Sequence, residues 1–275
     1  MDVNVKTKIT GIFGYPVEHI LSPLMHNAAF NAMGLDMCYV AFKVSPEDLP
    51  DAVKAIRALN ILGVNITIPH KEKVIPLLDN IDKEATFIGA VNTIVNSEGK
   101  LTGYNTDGKG FMHSLSEEKI SVEGKDVFII GAGGASRAVG YYLSKKASKL
   151  LLSDIDKQKA IKLVNALKKI RNNVFFLDDI NNIGKPHIII NATPLGLKAD
   201  DPLPLNPDFI TSDMIICDLI YKYTKFLRKA EKKGAKTIDG SGMLLWQGVL
   251  AFELWTGIKP PVDVMRKALL SGMNK

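Results

Sequence analysis

The 275-residue chain has only two cysteines, Cys38 and Cys217, far apart and with no CxxC partner. That excludes a disulfide scaffold and a cysteine-based zinc site, and both are expected as small core residues. The five histidines, His19, His26, His70, His113 and His187, never fall at HExxH spacing, so no metal set is expected. No stretch approaches the roughly 18 consecutive apolar residues of a membrane span, and Met1 to Thr10 lacks the apolar core of a secretory signal. The expectation is a cytoplasmic chain with no membrane partner. Internal repeats and low-complexity linkers are missing too, and aromatics make up 7% of the residues.

With 46% apolar and 23% charged residues, the chain can bury an ordinary core, and its length suits two domains. Its net charge of +6 is local: residues 109–172 hold 13 basic and 6 acidic side chains, and the remainder is close to neutral. That segment contains no recognisable reading helix or aromatic platform, so nucleic acid is not expected as a partner.

Short β-branched runs alternate with helical patterns from end to end, which predicts parallel βαβ units and an α/β fold. Ile9 to Phe13, Cys38 to Val44 and Gly63 to Ile68 read as strands, with helices after Ser22 and after Ser45. Ser22-Pro23 reads as an N-cap followed by proline at the first helical position, in a helix ending at Gly34. A second series runs from Asp126: strand 127–130, helix from Ser136, strand 150–153, helix 157–170, strands 174–177 and 188–191, and a last strand at 214–216. Residues 242–257 read as a long buried helix. We expect one domain over 1–108, completed by helices in 240–275, a dinucleotide-binding domain over 109–239, and a cleft between them.

Val127 to Ile130 runs into Gly131-Ala132-Gly133-Gly134-Ala135-Ser136, a glycine-rich turn that opens a helix. This is dinucleotide-binding context: Gly131 permits the tight turn, Gly133 lets backbone N–H groups approach a pyrophosphate, and Ser136 fills the small third position. Asp154, at the end of the next strand, suits the ribose hydroxyls of NAD and would repel the 2′-phosphate of NADP, and Asp156 adds a second negative charge. Lys157 and Lys159 are cations that could meet a phosphate. NAD is therefore expected in preference to NADP.

A polar cluster lies elsewhere. Asn65-Ile66-Thr67-Ile68-Pro69-His70-Lys71 starts as a strand with Asn65 and Thr67 on one face, and Lys71 follows its C-terminal end, where open α/β sheets bind ligands. Gly89 to Thr93 and Gly103 to Gly108 add Asn92 and Asp107. Lys71 and Asp107 supply a proton-exchanging cation and a carboxylate, the parts a hydroxyl-to-ketone redox step needs.

Together these motifs resemble the shikimate dehydrogenase family. The resemblance rests on GYPVEH (14–19) leading to Ser22-Pro23, NITIPHK (65–71), GAVNT (89–93), NTDG (105–108), GAGGASR (131–137), NATPLG (191–196), DLIY (218–221) and GSGMLLWQ (240–247). It implies reversible reduction of 3-dehydroshikimate to shikimate with NADP, in aromatic amino-acid biosynthesis. It implies an N-terminal open α/β substrate domain and a Rossmann-type domain. Lys71 and Asp107 would form the catalytic pair, and Ser22, Thr67, Asn92, Tyr221 and Gln247 would bind substrate. Gly131 to Ala135, the stretch Asp154-Ile155-Asp156 with Lys159, and Leu219 and Gly240 would line the cofactor. A homodimer is left open.

Two departures bear on specificity. Where the family has a serine pair for the substrate carboxylate, the first member here is Ile20, a loss of about 1.5–3 kcal/mol if nothing replaces it. Where NADP-using members carry Asn-Arg-Thr, this chain has Asp154-Ile155-Asp156, similar to the NAD-using quinate/shikimate dehydrogenases. The competing readings are an NAD-linked quinate/shikimate dehydrogenase, mildly disfavoured by Ile20, and a non-catalytic dinucleotide sensor or nucleic-acid-binding protein.

Overall fold

Alternating β-branched runs and amphipathic stretches give two α/β units in a computed structural model that describes residues 3–273. One unit runs to Thr106 and takes up the chain again from Leu245; the other is Asp107–Leu244. The first opens with β1 (Lys8–Gly14), α1 (Ser22–Ala32), β2 (Met37–Lys43), α2 (Leu49–Ala58), β3 (Gly63–Ile66), β4 (Asn80–Ile81), α3 (Lys83–Ile88), β5 (Thr93–Ser97) and β6 (Lys100–Tyr104). Their sheet runs β2-β1-β3-β5-β6-β4.

This sheet is mixed: β1 pairs parallel with β2 and β3, while β5 pairs antiparallel with both β3 and β6. Glu98 and Gly99 turn between β5 and β6 with φ of 53° and 83°, closing a two-residue hairpin that the sequence reading did not single out. β3 also stops at Ile66, two residues short of the predicted end, leaving Thr67 beyond the ladder.

The second unit contains α4 (Asp107–Glu117), β7 (Asp126–Ile130), α5 (Gly134–Lys146), β8 (Lys149–Ser153), α6 (Lys157–Lys168), β9 (Val174–Phe176), β10 (Ile188–Asn191), β11 (Ile215–Asp218), α7 (Lys225–Lys232) and β12 (Lys236–Ile238). The sheet order β12-β11-β10-β7-β8-β9 is parallel throughout. It is the doubly wound arrangement, with its switch point between β7 and β10. The strand expected at 214–216 is Ile215–Asp218, and it is not the last. Three residues at Lys236–Ile238 were too short a run to stand out from their lysine-rich surroundings.

The chain ends with α8 (Ser241–Thr256) and α9 (Val262–Met273), which packs on α1. Trp255 of α8 donates its indole N–H to the Ile94 carbonyl at 2.9 Å, tying that helix to β5. Of the cysteines, Cys217 is buried, and burial pushes its thiol up to about 12, whereas Cys38 is only half-buried and so is not the core residue expected.

Candidate active site

β7 is apolar and buried from Val127 on, and it ends in Gly131 at φ 103°. A Cβ on Gly131 would lie 3.0 Å from the Ala192 carbonyl oxygen and from the Thr193 methyl. Only glycine allows β7 and β10 to come so close at the switch point while turning left-handed. The turn is braced from inside, since the buried Ser136 hydroxyl donates to the Gly131 carbonyl at 2.7 Å. Helix α5 then starts at Gly134, two residues earlier than predicted, with Gly133 at its N-cap and no side chain capping it. A Cβ on Gly133 or Gly134 would meet nothing within 4 Å. Packing does not require glycine there. An uncapped helix N-terminus facing open space, with Ala135 in its first turn, is the donor set and the room that a dinucleotide pyrophosphate needs, so these residues fit that cofactor.

Asp154 follows β8. Its carboxylate accepts the Ala132 amide at 2.6 Å and the Asp156 amide at 2.9 Å, which fixes a negative charge against the glycine-rich turn. Asp156 has a local task as well: it is the N-cap of α6 and accepts the Lys159 amide at 3.1 Å. Between them Ile155 is fully exposed. The Lys157 ammonium pairs with Asp178 at 2.5 Å, so one of the two cations considered for a phosphate is already engaged.

In the first unit, buried polar side chains form one hydrogen-bonded chain. Ser22 is buried at the start of α1. The Tyr39 hydroxyl donates to Asn65 Oδ1 at 2.8 Å, and Asn65 Nδ2 donates to the Asn92 carbonyl and the Thr93 hydroxyl, both at 3.1 Å. Thr93 donates to Asn92 Oδ1 at 3.0 Å, and Asn92 Nδ2 donates to the Thr106 hydroxyl at 2.9 Å while its Oδ1 accepts the Thr106 amide at 2.8 Å. Period-two placement had paired Asn65 with Thr67; the structure instead joins Asn65 to Tyr39, Asn92 and Thr93. Thr67 is half-buried just past β3, with its amide on the Phe13 carbonyl at 3.0 Å.

Ser22 corrects a second expectation. It is the first residue of α1, Leu21 is the N-cap, and no side chain caps the helix, so the serine hydroxyl does not cap its own helix. Lys71 is half-buried in the turn after β3, and its carbonyl accepts the Val91 amide at 2.8 Å. Asp107 is buried at the start of α4, directly after the anchored Thr106. Gln247 is buried on α8, Ile20 is half-buried, and Tyr221 is about a third exposed after β11. Leu219 and Gly240 meet through backbone: the Gly240 amide donates to the Ile220 carbonyl at 2.9 Å, and a Cβ on Gly240 would collide with the Leu219 carbonyl.

One residue the sequence reasoning passed over is Asp218. Its carboxylate accepts from Asn191 Nδ2 at 3.0 Å, Thr224 Oγ1 at 2.8 Å and the Ile220 amide at 3.2 Å, while burial pushes its pKa up to about 6. It pins the loops after β10 and β11. Its place in the DLIY motif was visible, but burial was not. Among the described residues, no group of three or more His, Cys, Asp or Glu could hold a metal ion, and no helix is long and apolar enough to cross a membrane.

Comparison with known proteins matches residues 12–94 to the shikimate dehydrogenase substrate binding domain and residues 240–270 to the shikimate 5'-dehydrogenase C-terminal domain. The chain is 48% identical to shikimate dehydrogenase (NADP(+)) of Carboxydothermus hydrogenoformans, over 98% of this chain and 99% of that protein. The crystal structure of shikimate dehydrogenase from Aquifex aeolicus superposes with a TM-score of 0.93 at 42% identity, covering 97% of this chain and 99% of that one. The Thermus thermophilus shikimate 5-dehydrogenase, solved in complex with NADP(H) and shikimate, gives a TM-score of 0.90 at 35% identity, over 96% of this chain and 99% of that one.

Proposed function

The chain belongs to the shikimate dehydrogenase family, and from that premise we propose that it interconverts 3-dehydroshikimate and shikimate with a nicotinamide dinucleotide. When bound, that cofactor supplies or accepts the hydride. The protein has to deliver the proton, hold the ring and exclude other geometries.

We assign the proton to Lys71. In the reductive direction its ammonium gives a proton to the oxygen that becomes the hydroxyl, and in the oxidative direction its amine takes that proton back. Asp107 is the carboxylate of the pair and fixes the reacting hydroxyl. Asn92, Thr67 and Gln247 bind ring hydroxyls, with Tyr221 as a further contact, and Ser22 serves the carboxylate end, where Ile20 offers no donor. The observation that carries this reading is the buried hydrogen-bonded chain from Tyr39 to Thr106, which orders Asn92 and delivers Asp107 one residue later. A core built only for stability would have little reason to concentrate amides and hydroxyls there.

For the cofactor, Gly131, Gly133, Gly134 and Ala135 take the pyrophosphate. The carboxylates of Asp154 and Asp156, with Ile155 and Lys159 in the same stretch, favour NAD over NADP; Leu219 and Gly240 line the nicotinamide end. Curated relatives are named for NADP(+), so the preference proposed here departs from their names. In the same stretch the exposed Lys157 pairs with Asp178, which competes with any phosphate for that cation. The reading also places the enzyme in the cytoplasm, acting on a small molecule. Part of the basic excess sits in the last turns of α5 and α6, where lysines complement the helix dipole. Initial rates with shikimate and each cofactor test the proposal.

A further inference from the structure

Asn191 and Asp218 end β10 and β11, sit opposite each other in register, and are both buried. Their hydrogen-bond directions are forced. The Thr193 amide can only donate, so the Asn191 atom 3.1 Å from it is Oδ1. Asn191 Nδ2 then faces the Leu195 carbonyl at 3.1 Å and Asp218 Oδ1 at 3.0 Å. The Ile220 amide donates to that same Asp218 oxygen at 3.2 Å. On the other carboxylate oxygen the Thr224 hydroxyl donates at 2.8 Å, while its own oxygen accepts the Leu227 amide as the N-cap of α7. Three donors from three parts of the chain converge on one buried carboxylate.

The loops after β10 and β11 are held differently. The first closes on itself through Asn191, Thr193 and Leu195. Its Ala192 amide donates to the Ile130 carbonyl at 2.8 Å, which keeps it on β7 beside Gly131 without help from Asp218. The second starts with main-chain bonds, Leu219 amide to Asn191 carbonyl and Gly240 amide to Ile220 carbonyl, both at 2.9 Å. From Ile220 to Thr224 it is spanned by the Asp218 carboxylate. Thr224 also packs on the end of the β10 loop, where a Cβ on Gly196 would lie 3.3 Å from the Thr224 methyl. A buried carboxylate adds little net stability, so a charge retained here points to a task of position.

We infer that Asp218 is a positioning residue for the nicotinamide end of the dinucleotide: its carboxylate fixes the backbone of 219–224, while the glycine-rich turn that takes the pyrophosphate is held independently. The inference rests on the reading that Leu219 lines the nicotinamide end. Asp218 is buried and acts through the loop.

The test compares a whole dinucleotide with part of one. NADH and NADPH carry the nicotinamide; ADP-ribose lacks it and keeps the pyrophosphate. In Asp218→Ala the Kd of the tighter-binding dinucleotide, read by fluorescence titration, should rise about 5- to 20-fold, the scale of one or two lost hydrogen bonds, and the calorimetric Kd of ADP-ribose should change less than about 2-fold. Asp218→Asn keeps an acceptor for Asn191 and the Ile220 amide, and should recover most of the affinity. Thr224→Val keeps the shape against Gly196 and removes one donor, so it should shift the dinucleotide Kd in the same direction by a smaller factor. It carries the test if circular dichroism and thermal unfolding show that Asp218→Ala does not fold. Equal losses for dinucleotide and ADP-ribose, or an unchanged dinucleotide Kd in folded Thr224→Val, overturn the inference.

Hydrogen exchange on the cofactor-free protein separates two ways of failing. Asp218→Ala should speed amide exchange across 219–224 and leave 131–136 as in wild type. Unaltered exchange at 219–224 overturns the inference. Faster exchange there with wild-type dinucleotide affinity means that the loop hangs from Asp218 but does not meet the nicotinamide; the placing of Leu219 is then what fails, and the inference goes with it.

Discussion

The Ala132 amide donates to the Asp154 carboxylate at 2.6 Å, joining the glycine-rich turn to the end of the neighbouring strand. The acid expected to choose the cofactor therefore also shapes the turn that holds it. Asp154→Asn keeps an acceptor for Ala132 and deletes the charge. We expect kcat/KM for NADP to rise relative to NAD by roughly 10-fold, the scale of one relieved like-charge contact near a surface. Initial rates with both cofactors check it, and an unchanged ratio would assign Asp154 to the turn alone.

Lys71→Ala should lower kcat by about 10²–10⁴ with a small change in KM, because a proton-transfer group acts mainly in the transition state. Steady-state rates in both directions measure it. A near-normal kcat removes Lys71 from the proton step.

His26 gives a pH dependence with a definite sign. It is fully buried, and burial holds its pKa down to about 3 from the ordinary 6.5. The unfolded chain therefore binds the proton more tightly, and stability drops as pH falls from 6.5 toward 3, by up to ~1.4 kcal/mol per pH unit. Asp218 opposes this. Its folded value of about 6 lies above the ordinary 3.8, so its contribution falls as pH rises through that window. The wild-type curve mixes the two slopes. The difference in urea stability between wild type and His26→Phe isolates the first, and should shrink by about 2–3 kcal/mol between pH 6.5 and 4.5. A flat difference would mean that the imidazole is protonated where it sits.

The glycines of the turn should separate fold from function. Gly131→Ala forces a side chain into φ 103° and against the Ala192 carbonyl, and should destabilise the second unit by about 1–3 kcal/mol. Gly133→Ala has an ordinary φ of −78° and open space around its Cβ, so stability should hold while KM for the cofactor rises. Denaturant melts paired with cofactor titration distinguish the two. A Gly133→Ala variant with normal cofactor KM would remove that residue from the pyrophosphate site.

The glycine turn, Asp154 and the strand order around them were legible because each depends on local spacing: a buried strand, a turn only glycine can make, and an acid one strand on. Lys71 and Asp107 were legible as chemistry through their motifs. Tyr39 was not, since a tyrosine in a β-branched run looks like core until β1, β2 and β3 are seen side by side and its hydroxyl is found against Asn65. Ser22 was read as a cap because a Ser-Pro start is the usual signal for one, but the helix begins one residue earlier than that reading and Leu21 is its N-cap. β12 and the β5–β6 hairpin were missed for a similar reason: long-range pairing makes strands of runs that are weak alone.

The central claim is an NAD-preferring shikimate dehydrogenase, and the most direct test is a matrix of initial rates for shikimate and quinate against NAD and NADP. The account predicts oxidation of shikimate with kcat/KM higher for NAD than for NADP. Failure to oxidise shikimate with either cofactor would contradict the function, and a kcat/KM for NADP well above that for NAD would contradict the role given to Asp154 and Asp156.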